Sequence, residues 1–325
     1  MTDDERRTER QNHVDDEGST ERQNHVDDEG STERRYHVDG ELVPAGEATV
    51  SVDDRGFRYG DAAFETLRAY GGSIFEWDAH ADRLERTCET LALEHGLSRA
   101  DLRARIDETL AGNDLDDAYV RLSISRGVQP GTLTPRPEVD PTVVVYVAPL
   151  PRGGIDGEPV WDGPATVRTV ETRRVPSEAI PASAKTHNYL NGILARLELR
   201  AGDGSERPVA DEALMLDADG NLTEGATSNL FVVDDGTLYT PTTDGPVLPG
   251  ITRRVVCELA AELAVPVVEG RLDADDVRGA DEAFLTNTTW ECRPIETVDG
   301  STVGGGPITD RLGRAFERLV ERRCY

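Results

Sequence analysis

Lys185 is the only lysine in a chain of 325 residues; the other 34 of its 35 basic residues are arginine. Arginine can replace lysine as a charge, but its guanidinium stays protonated and cannot form a Schiff base. One surviving lysine therefore points to chemistry that needs an amine, such as imine formation with a carbonyl. Lys185 follows Ile180-Pro181-Ala182-Ser183-Ala184. Leu190, Ile193, Leu194 and Leu197 come after it at helical spacing, which places the amine at the entry to a packed helix.

Two other segments carry chemistry. Glu224 lies in Leu222-Thr223-Glu224-Gly225-Ala226-Thr227-Ser228-Asn229-Leu230-Phe231, a glycine-assisted strand connection. A carboxylate confined there is costly unless something pairs with it. Leu248-Pro249-Gly250-Ile251-Thr252-Arg253 leads into an amphipathic helix with Val255, Val256, Leu259 and Leu263 inward. Glycine at a helix entry, with a threonine hydroxyl in the first turn, makes an anion cradle from backbone N–H groups and the helix dipole. Taken singly, Glu224 reads as a turn residue and Pro249-Gly250 as an ordinary helix start.

Periodicity predicts the elements that position these residues. Strands are expected at 36–38, 48–52, 62–70, 118–125 and 142–147, and helices at 78–93, 98–111, 252–264 and 308–322. Asp219-Gly220 and Asp235-Gly236 are turn signals that divide 213–239 into a three-stranded meander. The proline- and glycine-rich stretch 148–159 reads as a linker. The expected architecture is α/β (α+β) with two domains, 35–147 and 160–325, the second carrying Lys185. Residues 8–19 and 20–31 are the same twelve residues, and a diverged copy begins at Thr32. With one valine per copy they cannot bury a core, so residues 1–34 are expected to be a disordered tail. One histidine per copy makes no metal-ligand cluster.

Acidic residues number 63, for a formal charge of −28. Such a field repels nucleic acid and anionic membrane. Few aromatics, one lysine and dense carboxylates suggest adaptation to molar salt, where charge is screened over a few Å. The four cysteines show neither CxxC nor His-Cys spacing, so no zinc site or disulfide framework is expected. No apolar run approaches the ~18–20 residues that span a bilayer. A soluble protein with reduced thiols, in a cytoplasm, is the expectation.

Six stretches in one order carry a resemblance. They are Arg58-Tyr59-Gly60-Asp61-Ala62-Ala63-Phe64-Glu65-Thr66-Leu67-Arg68, His80-Ala81-Asp82-Arg83-Leu84 and Lys185-Thr186-His187-Asn188-Tyr189-Leu190-Asn191. Glu224 with Ser228-Asn229-Leu230-Phe231, Pro249-Gly250-Ile251-Thr252-Arg253 and Phe284-Leu285-Thr286-Asn287-Thr288-Thr289 complete the set. From about residue 36 onward the chain resembles the class IV aminotransferases, the fold-type IV pyridoxal 5′-phosphate (PLP) enzymes. That family includes branched-chain aminotransferases, D-amino-acid aminotransferases and 4-amino-4-deoxychorismate lyases. The resemblance implies a two-domain fold of the D-amino-acid aminotransferase type, a small amino-acid-like substrate and a homodimer. It implies Lys185 as the Schiff-base lysine and acid/base, and Glu224 as partner of the pyridine nitrogen. Arg83, Ile251, Thr252 and Thr288 would hold the cofactor phosphate. Tyr59 and Thr289 would line the substrate side, and Arg121 and Arg126 are candidate carboxylate binders.

The motifs divide over the reaction. Phe64-Glu65-Thr66, Ser228-Asn229-Leu230-Phe231, the Lys185 to Asn188 spacing and Leu285-Thr286-Asn287 resemble the lyases. Thr288-Thr289-Trp290-Glu291 resembles D-amino-acid aminotransferases, and Gly250-Ile251-Thr252 is common in branched-chain enzymes. The expectation is a lyase releasing 4-aminobenzoate and pyruvate. The alternative is a branched-chain or D-amino-acid transaminase, and a non-catalytic binding module stands behind both.

The charge makes a prediction of its own. The Debye length grows from about 3 Å in molar salt to about 10 Å at a tenth of that, so carboxylate repulsion rises as salt is withdrawn. Circular dichroism and oligomer mass should fall together as salt is lowered. A protein that stays folded and associated in dilute buffer would contradict the salt adaptation.

Overall fold

The computed structural model describes residues 34–150, 152, 161, 163–200 and 209–325. The two identical repeats and most of the expected linker lie outside the described residues, whereas the diverged third copy is described from Arg34 onward and contributes Arg35–Val38 as a strand. In the first half, β1 (Arg35–Val38), β2 (Glu41–Pro44), α1 (Arg55–Tyr59), β3 (Ala62–Tyr70), β4 (Ser73–Ile74), α2 (Trp77–Thr90), α3 (Arg99–Ala111), β5 (Ala118–Ser125) and β6 (Thr142–Pro149) follow one another. Their strands form a six-stranded antiparallel sheet in the order β2-β1-β6-β5-β3-β4.

The second half contains β7 (Ala165–Thr169), α4 (Leu190–Leu197), β8 (Glu212–Leu216), β9 (Leu222–Gly225), β10 (Asn229–Asp234), β11 (Thr237–Pro241), α5 (Ile251–Glu262), β12 (Val267–Gly270), α6 (Ala274–Arg278), β13 (Glu282–Asn287), β14 (Glu291–Val298), β15 (Ser301–Thr302) and α7 (Pro307–Cys324). Its mixed sheet runs β12-β11-β10-β13-β14-β7-β8-β9, with β15 on β14. No helix among the described residues is long and apolar enough to cross a membrane.

Strand alternation decides what β5 offers each side of its sheet. Ala118, Val120, Leu122 and Ile124 are buried in the core with Leu84, Leu102 and Ile106 of the covering helices. The intervening Tyr119, Arg121 and Ser123 face the other way, because successive side chains alternate. Helix α2 likewise has two working stripes. Ala81, Leu84 and Cys88 are buried apolar positions, while His80, Arg83 and Thr87 are buried polar ones at helical spacing. In the second half, Val255, Val256 and Leu259 of α5 meet Leu312, Phe316 and Val320 of α7 over Phe231 and Phe284.

Three expectations are corrected. Residues 48–52 alternate like a strand but form none; Val50 and Val52 are 46% and 73% exposed, with no neighbouring strand to pair them. The stretch 213–239 holds four strands, not three. β8 pairs β9 and β10 pairs β11, while β10 turns its other edge to β13. Between β9 and β10 the buried Glu212 carboxylate accepts from Thr227 N, Thr227 Oγ1 and Ser228 Oγ, which fixes a turn there. Finally, Leu190, Ile193, Leu194 and Leu197 are not packed inside but 65%, 54%, 47% and 41% exposed. Helix α4 buries its Ala195 side instead, in a cluster with Leu199 and Ala213.

Gly127, just beyond β5, has φ +76° and space for a Cβ only 1.8 Å from the Asp140 carbonyl oxygen. Gly127→Ala should therefore cost about 2 kcal/mol or more in urea unfolding, from left-handed strain plus the clash. An unchanged midpoint would show that the 127–140 segment can be displaced freely.

Candidate active site

Lys185 is held by its main chain before its side chain is considered. Its N–H donates to Thr87 Oγ1 on α2 at 3.0 Å. Phe64 N donates to the Lys185 carbonyl at 3.0 Å, and His187 N to the Ala62 carbonyl at 2.9 Å, so residues 185–187 run along the start of β3. Lys185 Nζ then lies 4.3 Å from the Phe64 ring centroid and donates to Tyr189 Oη at 2.9 Å. It opens on a cavity of about 390 Å³, lined also by Arg83, Arg121, Glu224, Ile251, Thr252, Thr288 and Thr289. That volume suits one small cofactor with a small substrate.

Glu224 projects from β9 and is 6% exposed. Arg174 Nε donates to its Oε1 at 2.7 Å, while Leu248 N and Asn229 Nδ2 donate to Oε2 at 3.0 and 3.3 Å. Burial pushes its carboxyl above the ordinary range, and Arg174 opposes that push. Asn229 Nδ2 also donates to the Leu248 carbonyl at 3.0 Å. This wedge explains Gly250: a Cβ there would sit 2.0 Å from Asn229 Oδ1. Gly250 caps α5 with no side-chain bond, which leaves the first-turn N–H groups of Ile251 and Thr252 for an anion.

Arg83 reaches the same end of the cavity. Its Nε and Nη2 donate to the two oxygens of Glu65 at 2.8 and 2.6 Å, and its Nη1 to the Pro249 carbonyl at 3.1 Å. Glu65 also bonds His80 Nδ1 at 2.8 Å. Burial would raise the Glu65 carboxyl, but the Arg83 charge and these hydrogen bonds hold it at about 2. Thr288 and Thr289 lie in the turn between β13 and β14, where Asn287 Oδ1 accepts from Thr289 N, Thr289 Oγ1 and Trp290 N.

Arg121 stands on the far wall, its guanidinium 3.7 Å over Phe64. Beside it, His187 is pushed down to about 4 by burial and by the Arg121 charge, so it is neutral at pH 7. The charged residues along the cavity are Arg83, Arg121, Arg174, Lys185 and Glu224. A chain of net charge −28 has thus gathered cations here, as an anionic ligand requires.

Two expected site residues lie elsewhere. Arg126 is 4% exposed, but its guanidinium is consumed by both oxygens of Asp61 and by the Leu91 and Ala92 carbonyls. Tyr59 lies between Arg55 and Arg58, with guanidinium carbons 5.0 and 5.5 Å from its ring centroid, and does not line this cavity. Arg174, Tyr189 and Phe64 carried no role in the sequence reading. Tyr189 alone left a legible signal, standing four residues after Lys185; Arg174 is one of 34 arginines and left none.

Comparison with known proteins decides the family. The model of the amino-transferase class IV family matches residues 62–298. The chain belongs to that family. The branched-chain-amino-acid aminotransferase of Pseudomonas aeruginosa is 35% identical over 289 residues, covering 86% of this chain and 91% of that one. The D-alanine aminotransferase of Listeria innocua is 32% identical over 286 residues, covering 87% and 95%. The branched-chain amino acid aminotransferase of Thermobaculum terrenum, solved in its PLP form, aligns with a TM-score of 0.79 at 27% identity, covering 90% and 95%.

These relatives correct the lyase expectation: they are named aminotransferases. Three residues of the motifs that suggested a lyase have partners within the protein. Glu65 is bound to Arg83, Asn188 Nδ2 donates to the Gly60 carbonyl, and Asn287 pins the 287–290 turn.

Arg126→Ala should cost roughly 1–3 kcal/mol in denaturant unfolding, because the Leu91 and Ala92 carbonyls lose their donor while Asp61 keeps Arg55. KM for the amino donor should not change. A raised KM in a protein of undiminished stability would return Arg126 to the substrate site.

Proposed function

We propose that this chain is a PLP-dependent transaminase that moves the amino group of branched-chain L-amino acids to a 2-oxo acid. One observation carries the reading: the only lysine presents its amine to a cavity that also holds a buried carboxylate and a helix N-terminus flanked by an arginine. The donor set fits the cofactor. The Nη hydrogens of Arg83 not taken by Glu65 and Pro249, the N–H groups of Ile251 and Thr252, and the hydroxyls of Thr252 and Thr288 suit a phosphate. Glu224 suits a protonated ring nitrogen, and Lys185 is the amine that an aldehyde requires.

Bound PLP supplies an electron sink that makes the substrate's α-proton labile. The protein supplies the rest. Lys185 Nζ takes that proton from the substrate α-carbon, and the Tyr189 hydroxyl, 2.9 Å away, orients the amine. Arg121 and the Thr289 segment take the substrate carboxylate. Phe64, Val175 and Ile180 among the cavity walls suit an aliphatic side chain.

The reading extends to assembly. A second copy of the chain would cover the exposed stripe of α4 together with Phe57, 73% exposed, as a homodimer. Residues 35–147 and 160–325 would be the two domains that enclose the cavity, with β6 carrying the first on to Pro149. Four free cysteines suit a reducing cytoplasm.

Leucine, isoleucine and valine, each with 2-oxoglutarate, should yield glutamate faster than D-alanine does with the same acceptor. Faster turnover of D-alanine would overturn the branched-chain assignment. Lys185→Arg should abolish turnover and the protein's visible colour while circular dichroism is unchanged, because charge cannot replace a nucleophilic amine. Turnover retained by that variant would sink the PLP reading.

A further inference from the structure

We propose that Arg174 is a positioning residue that keeps Glu224 ionised, so that a proton shared with the cofactor's ring nitrogen stays on the ring. The inference rests on the PLP reading above. Its basis is the placement of Arg174, just beyond β7 and ahead of the Lys185 loop. Arg174 N donates to the Leu216 carbonyl at 2.9 Å, and its Nε reaches Glu224 Oε1 at 2.7 Å. Asn191 of α4 braces the same segment: its Oδ1 accepts from Val175 N at 3.2 Å and from Arg174 Nη1 at 3.4 Å, and its Nδ2 donates to the Arg173 carbonyl at 2.8 Å. The guanidinium is 21% exposed and the carboxylate 8%, so water screens the pair weakly.

Other charges face Glu224, but none serves as a fixed partner. Lys185, from the loop before α4, lowers its proton affinity at longer range. That amine changes its bonding during the proposed reaction. Arg83 of α2 also feels Glu224, yet its guanidinium is committed to Glu65. Arg174 is bonded directly to the carboxylate and carries a charge that is never titrated. Left buried without it, Glu224 becomes a stronger base and competes with the ring nitrogen for the proton that makes the ring an electron sink.

The test compares wild type with Arg174→Gln, with Arg174→Met as a second neutral variant, and with Arg174→Lys, which retains the charge. In the cofactor-free protein, carbon-13 NMR of Glu224 should show both neutral variants titrating at higher pH, by about one unit or more, each unit a tenfold change in proton affinity. The lysine variant should lie near wild type. With nitrogen-15-labelled PLP bound, the ring resonance should move toward its unprotonated position in the neutral variants only. Inorganic phosphate, which needs only the anion cradle, should bind all four proteins alike. Transamination should lose kcat in the neutral variants with little change in KM.

An unshifted Glu224 titration in both neutral variants would overturn the role of Arg174. So would a lysine variant that behaves as they do. Failure of the wild-type protein to bind PLP would instead overturn the cofactor reading, since the Glu224 titration needs no cofactor.

Discussion

Glu65 is a carboxylate with no access to water, and it stays ionised because Arg83 meets both of its oxygens while His80 adds a third hydrogen bond. Leaving either member of such a pair alone in the interior would cost about 3–5 kcal/mol, so strand β3 and helix α2 must keep one spacing. Much of the cavity inherits that spacing. Phe64 precedes Glu65 on β3 and forms the floor under Lys185 and Arg121. Thr87, one turn after Arg83 on α2, accepts from the Lys185 main chain. Through Pro249, Arg83 also ties the first half of the chain to the entry of α5 in the second.

A second constraint is electrostatic. The surface is densely acidic, yet Arg83, Arg121, Arg174 and Lys185 converge on one cavity with Glu224 as the facing carboxylate. Low-dielectric walls strengthen those charges relative to the solvated ones outside. An anionic ligand is therefore repelled over most of the molecule and attracted at one place. The arginines differ in availability. Arg83 is largely committed to Glu65 and Arg174 to Glu224, whereas Arg121 lies over an aromatic face and keeps its donors for a ligand.

The polar residues between the halves act through geometry. Asn229 joins Glu224 to Leu248, and Gly250 must lack a side chain to admit it, so the carboxylate and the anion-binding helix are registered to within one hydrogen bond. Asn287 does the same for the turn that carries Thr288 and Thr289. Catalytic groups on separate elements need this precision, because a misplacement of about 1 Å costs orders of magnitude in rate.

Local signals in the chain pointed to much of this unaided. One lysine among arginines pointed to amine chemistry, because arginine cannot form an imine. Gly250 and Thr252 at a helix start pointed to an anion cradle, and most elements followed from periodicity, because the spacing of buried side chains tracks the helix and strand repeats. Tertiary structure decided what depends on distant partners. Arg121 and Arg126 stand five residues apart and read alike, yet strand alternation sends one to the cavity, while Asp61 and two carbonyls capture the other. The apolar stripe of α4 looked like a core face and is exposed, because spacing defines a stripe but not which side is covered. Arg174 meets Glu224 from fifty residues away, and no spacing in the sequence announces that contact.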